Sequence, residues 1–152
     1  MLFDHIDKVL KTHAHIVLPQ LVGTNYKMYI RDLDRTLFGG YLMQRVRLYI
    51  VHSNEIDVVA KTLMRSTGDV FIIMLNISEG INMGGDVGGI TCNTVQQCIE
   101  QLLQHELMHV IVMRVNHELN VKIDDMHSPL FRVWLREIFG QHRVDNNLLI
   151  QR

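Results

Sequence analysis

Residues 94–115 read TVQQCIEQLLQHELMHVIVMRV, and this stretch decides the fold. Thr94 and Gln97 have the spacing of a capping box, a hydroxyl at a helix start answered by an amide three residues on. Apolar residues follow at Val95, Cys98, Ile99, Leu102, Leu103, Val110 and Met113, the repeat of an α-helix. Neither Gly nor Pro interrupts from Val95 to Asn120. The spacing therefore predicts a helix over 95–115. It is apolar nearly all round, as expected of a buried central helix.

Within it stands His105-Glu106-Leu107-Met108-His109, the pattern H-E-x-x-H. Positions i and i+4 project from one helix face, so His105 and His109 can bind one metal ion. Glu106 beside them can act as general base. As plain core residues, a carboxylate flanked by two imidazoles would carry an uncompensated desolvation cost. A zinc ion removes that cost, and Zn2+ is the cofactor expected.

A catalytic zinc site takes three protein ligands and keeps one position open. A metzincin would need Gly and His where this chain has Val112 and Val115, so that class fails. Glu118, Asp124, Asp125 and Glu137 are available as an acidic third ligand. His117 lies eight residues past His109, about 80° round the helix, and points away. His127 is better placed. It precedes Ser128-Pro129, an N-cap followed by Pro at the first helical position. Leu130, Phe131, Val133, Trp134, Leu135, Ile138 and Phe139 then form a second apolar helix, which Gly140 ends. A His at the mouth of that helix could complete the metal triangle.

These residues resemble the SprT-like zinc metalloprotease family, to which the Spartan proteases belong. There, H-E-x-x-H is followed by a loop and by H-G-x-x-F opening a helix. His127 and Phe131 fit that pattern, with Ser128 in the place of the Gly. Leu37-Phe38-Gly39-Gly40-Tyr41-Leu42, followed by Val46-Arg47-Leu48-Tyr49-Ile50, is similar to the family's F-x-G-x-L turn and first strand. The resemblance covers roughly residues 25 to 140. It implies a zinc-dependent endopeptidase acting on proteins crosslinked to or bound on DNA, with His105, His109 and His127 on zinc and Glu106 as base. Many family members also carry a Cys-rich zinc ribbon and a basic tail as DNA-binding parts, and neither is expected here. Two other readings remain open: a metal-stabilised binding module that does not cleave, and a metallopeptidase of another zincin clan.

The fold class expected is α+β, zincin-like: a small antiparallel or mixed sheet of about three strands packed with helices around the H-E-x-x-H helix. The 152 residues allow one compact domain, 1–152. Apolar residues make up 47 % and charged residues 20 %, a globular balance. Leu2, Phe3, Ile6, Val9, Leu10, His13, Ile16 and Val17 predict an N-terminal helix stopping before Pro19, with His13 and His15 flanking the core. Thr24 or Asn25 caps a second helix with the face Tyr26, Tyr29, Ile30, Leu33 and Leu37, ended by Gly39-Gly40. Val46, Leu48 and Ile50 alternate as a half-buried strand. Residues 58–64 and 70–77 flank Arg65-Ser66-Thr67-Gly68-Asp69 as a hairpin, the second strand being central. Gly80, Gly84, Gly85, Gly88 and Gly89 crowd residues 79–93. Without a Lys this is no phosphate loop; it reads as a surface loop or as a flap over the cleft.

No apolar run is long enough to cross a membrane, and the start lacks the form of a secretory signal. Cys92 and Cys98, without a C-x-x-C pair, read as free thiols of a reducing compartment. An intracellular location, nuclear or cytoplasmic, is therefore expected. The partners expected are protein substrates and, weakly and without sequence preference, DNA. Net charge is −1, so phosphate contacts would rest on small clusters: Arg132, Arg136 and Arg143, or Arg45 and Arg47 on one strand face. Asp124 or Asp125 could orient a ligand His.

Overall fold

A computed structural model describes residues 2–12, 16–78, 81, 85–122 and 125–146. His13, His15, Gly80, Gly84 and Asp124 lie outside the described residues. The described residues form an α+β fold, with four helices and a small mixed sheet. α1 (Leu2–Thr12) and α2 (Tyr26–Phe38) come first, then β1 (Val46–Val51), β2 (Ala60–Met64) and β3 (Phe71–Asn76). Two short strands follow, β4 (Asp86–Val87) and β5 (Ile90–Thr91), and then α3 (Val95–Glu118) and α4 (Pro129–Phe139). No helix of the described residues is long and apolar enough to cross a membrane.

The caps read from the sequence are the caps observed. Asn25 accepts from Met28 N at the start of α2, and Gly39 takes the left-handed conformation, φ 63°, at its end. The following turn is held from below. Asp34 is buried, its carbonyl accepts from Gly40 N at 3.2 Å, and its Oδ1 accepts from Leu42 N at 3.0 Å. Thr94 caps α3 and Ser128 caps α4, with Pro129 in its first turn. α3 runs on to Glu118, beyond the expected 115, because no breaker stands before Asn120.

The three-stranded sheet has the order β1-β3-β2. β3 is central, parallel to β1 (Val46↔Phe71) and antiparallel to β2 (Ala60↔Leu75). Its Phe71, Ile73 and Leu75 are fully buried, in one core with Leu103, Leu107, Val110 and Ile111 of α3. The connection that carries the chain from β1 to β2 folds around one side chain. Asn76 is buried; its Oδ1 accepts from Ser53 N, and its Nδ2 lies within 3.3 Å of the carbonyls of Ser53, Ile56 and Val58. At the far end of α3, Arg114 pairs with Glu118 at 3.0 Å and donates to Gly68 O at 2.7 Å. Tyr41 hydrogen-bonds the same Glu118. These bonds tie the central helix to the β2–β3 turn and fix where it crosses the sheet.

The glycine-rich connection folds in part as a hairpin, which its composition alone did not indicate. Gly88 and Gly89, φ 60° and 87°, turn β4 into β5. Residues beyond α4 return to this hairpin. His142 N and Arg143 N donate to Gly88 O, Gly88 N donates to Asp145 O, and Asn146 forms a bridge with Val87. Gln141 anchors this return: it is buried, and its Nε2 donates to Gln101 O at 3.0 Å and Gln104 Oε1 at 3.2 Å on α3.

Candidate metal centre

His105 and His109 sit one turn apart on α3, and His127 stands just before the N-cap of α4. The two helices pack against each other and bring the three imidazoles together. One ring nitrogen from each lies within 4.8 Å of the others. Ring centroids are separated by 4.9 Å (His105–His109), 5.0 Å (His109–His127) and 5.3 Å (His105–His127). Phe131, fully buried, lies against all three and stacks on His109 at 4.3 Å with planes 25° apart. An aromatic wall of this kind leaves the rings few orientations other than toward one another.

The backbone of His127 is pinned at both ends. Asp125 Oδ1 accepts from His127 N at 3.0 Å, and Arg132 Nε donates to His127 O at 3.0 Å. Asp125 thus holds the backbone of a candidate ligand rather than its ring, and Arg132 has a structural partner here beside any phosphate. Burial holds all three imidazoles neutral. It pushes His109 down to about 3 and His105 to about 4, and it lowers His127, helped by the Arg132 charge. A neutral imidazole has the free lone pair that a metal requires.

Glu106 points beside this triangle. Burial pushes its carboxyl up to about 7, opposed by the Thr62 hydroxyl. Thr62 Oγ1 lies 3.1 Å from Glu106 Oε1 and 3.2 Å from Glu106 O. Oε2 is 4.0 Å from His105 Nε2. With His105 neutral this is no ion pair, and among the described residues Oε2 makes no hydrogen bond, while Glu106 lines the cleft. The donor set therefore fits a metal ion: three neutral nitrogens converge, and a carboxylate stands adjacent to them without occupying the triangle.

The site opens into a cleft of about 320 Å³. Residues 59–62, at the edge strand β2, line it together with Val87 and residues 144–146. The remaining candidates are elsewhere. Glu118 is taken by Arg114 and Tyr41. His117 packs against Gly68 at the β2–β3 turn, as its angle on the helix implied. Glu137 is exposed and paired with Arg136 at 3.3 Å. Arg132, Arg136 and Arg143 do converge, around a cavity of about 190 Å³, but Arg143 is paired with Asp86 at 2.9 Å. Both cysteines are free and buried.

Sequence reasoning missed Thr62, Val87 and residues 144–146. Thr62 carried a signal, as the one polar residue among the inward positions Ala60, Thr62 and Met64. Val87-Gly88-Gly89-Ile90 carried another, since two glycines between apolar residues suit a two-residue hairpin turn. Nothing local marked residues 144–146, whose partners lie far away in the chain. No family model, curated protein or solved structure matches this chain.

Proposed function

We propose that this chain is a zinc-dependent endopeptidase of the zincin type, akin to the SprT-like proteases that its motifs resemble. The observation that carries the reading is the convergence of three neutral imidazoles within 4.8 Å beside a buried glutamate. A site that only stabilised the fold would have no use for that carboxylate. His105, His109 and His127 would hold the zinc. Bound there, it would supply Lewis acidity to the scissile carbonyl and to the attacking water.

The chain's own residues do the rest. Glu106 takes the water's proton at Oε2 and returns it to the leaving amine. Thr62 holds Oε1, so the carboxylate cannot rotate away while Oε2 works. Phe131 closes the floor of the triangle to water. Residues 59–62 pass the site along a strand at the sheet's edge, which offers backbone donors and acceptors to an extended polypeptide. This favours protein substrates over small molecules. Proteins bound on DNA are the substrates that the resemblance suggests, in a nuclear or cytoplasmic setting. Any DNA affinity would rest on Arg132, Arg136 and Arg143, and it is weak because acidic neighbours offset two of them.

The test compares wild type with Glu106→Gln. Both should hold one zinc per chain. Wild type should cleave β-casein, and the variant should lose about 10²–10⁴-fold in rate. A chain that binds zinc and does not cleave is a metal-stabilised binding module instead, and equal rates for the two chains would mean that Glu106 is not the base.

A further inference from the structure

The metal cleft lies beside β2, one edge of the sheet; β1 is the other edge. The carbonyls of Arg45 and Val51 accept from Phe71 and Ile77, on the β3 side. Along a strand this side alternates from residue to residue. In the observed register, Arg47 and Tyr49 belong to the same inward set. The N–H and C=O groups of Val46, Leu48 and Ile50 therefore point out of the sheet. Among the described residues, no turn or loop backbone bonds to them.

That row opens into a cavity of about 320 Å³ between β1 and α2. α2 faces it with Lys27, Ile30 and Arg31, and Arg47 stands on the β1 side. The three cations are exposed, and Asp34 is the one acid in the lining. Oδ2 of Asp34, a residue only 1 % exposed, has no hydrogen-bond partner among the described residues. Two exposed side chains, Tyr49 (56 %) and Met43 (43 %), add apolar surface at the rim.

We propose that this groove is a docking site for an acidic, extended segment of a partner protein, which adds as a fourth strand on the open edge of β1. Its backbone takes up the free groups of Val46, Leu48 and Ile50, and its carboxylates lie against Lys27, Arg31 and Arg47. A strand edge facing a helix is a recurrent arrangement for taking up peptides by strand addition. At about 3.3 Å per residue the edge accommodates four or five residues of the partner. The charges alone would suit a nucleic acid equally, but its phosphates carry no donors for the outward C=O groups, which a peptide backbone satisfies together with the N–H groups. A second copy of β1 would bring Arg47 against cations of its own kind. The site is on the sheet edge remote from the metal, so it does not depend on the proposed peptidase chemistry.

The probe is a fluorescein-labelled, capped heptapeptide, Glu-Val-Glu-Val-Asp-Val-Glu, titrated with the full chain and read by anisotropy. Two further peptides carry N-methyl groups on the odd or on the even residues. The parent should bind saturably, and only one of the methylated pair should lose at least tenfold, because a strand uses one edge. A lysine version should lose at least tenfold, as should the chain with Arg31→Glu and Arg47→Glu, both surface changes whose folding a melting curve checks. Glu106→Gln should bind the parent peptide unchanged. No binding, or equal binding of both methylated peptides, overturns the proposal. So does equal competition by an oligothymidylate, which would make the groove a phosphate surface. Dimerisation in light scattering that Arg47→Glu abolishes would make it an interface between copies, and overturns it too.

Discussion

The hydroxyl of Thr62, on the edge strand of the sheet, donates to Oε1 of Glu106 on the central helix at 3.1 Å. This bond joins two elements that border the cleft, β2 and α3. It opposes the burial that pushes the Glu106 carboxyl up to about 7.

Thr62→Val removes the bond and keeps the shape. A hydrogen bond to a charged group is worth ~1.5 kcal/mol or more, equivalent to about one pH unit. The Glu106 carboxyl then ionises at higher pH. The acid limb of the kcat/KM profile should move up by about one pH unit, with zinc content unchanged. An unmoved limb would mean that Thr62 does not set the ionisation of the base.

His127→Ala should lower zinc affinity by at least ~100-fold, more than the usual loss for a residue that merely supports a ligand. His117→Ala should leave it unchanged, since His117 lies against Gly68 and away from the triangle. Competition with a chromophoric chelator measures both. The reverse ranking would overturn the ligand assignment.

Phe131→Ala acts on fold and site together. Emptying a fully buried aromatic position costs ~3–5 kcal/mol. The ring also stacks on His109, so zinc affinity should fall beyond what the lost stability alone would give. Urea unfolding with and without zinc separates the two effects. Phe131→Leu should recover much of the stability and less of the affinity.

The metal-free chain should be less stable in acid. His105 and His109 titrate at about 4 and about 3 when folded, well below the ordinary 6.5. Below pH 6.5 the unfolded chain therefore binds two protons that the folded chain refuses. Glu106 works the other way: it is still protonated when folded, up to about 7, whereas its ordinary value is 4.5. Between pH 5 and 6 these three groups leave a balance of one proton in favour of the unfolded chain, and His127, also lowered, adds to it. Stability should rise with pH there by at least ~1.4 kcal/mol per unit. Glu106→Gln removes the opposing group and should roughly double that slope. A flat or falling stability in urea titrations of the chelated protein would contradict the neutral, buried state of these rings.

DNA binding should be weak and without sequence preference. Each neutralised phosphate contributes ~0.9 to the salt slope, so Arg132, Arg136 and Arg143 together give a slope no steeper than about −3. Titration of single- and double-stranded DNA at two salt concentrations measures it. A steeper slope would reveal a basic surface beyond these three residues.

The parts of this architecture that depend on neighbours in the chain could be read from the sequence. Thr94, Asn25, Ser128 and Gly140 cap the helices where their side chains or backbone freedom place them. The i, i+4 spacing of His105 and His109 fixed half the site without any tertiary knowledge. His127 was legible because a helix start beside it gave it a direction. Thr62 was not, because its role depends on β2 lying against α3, a pairing between residues 44 positions apart. The wall at 144–146 was harder still: it exists through the side chain of Gln141 and the backbone of Gly88. The glycines at 88 and 89 read as looseness, yet their positive φ values make a defined turn.

The cleft has two sides of unequal firmness. His105, Glu106 and His109 ride on a 24-residue helix embedded in the core, whereas the facing side rests on two-residue strands and a returning tail. Amide hydrogens should exchange slowly at 105–110 and faster around 86–91 and 142–146, since two-residue strands and a few backbone bonds hold those segments. Local opening of the cleft should therefore displace the hairpin and the returning tail first, and leave His105, Glu106 and His109 in place.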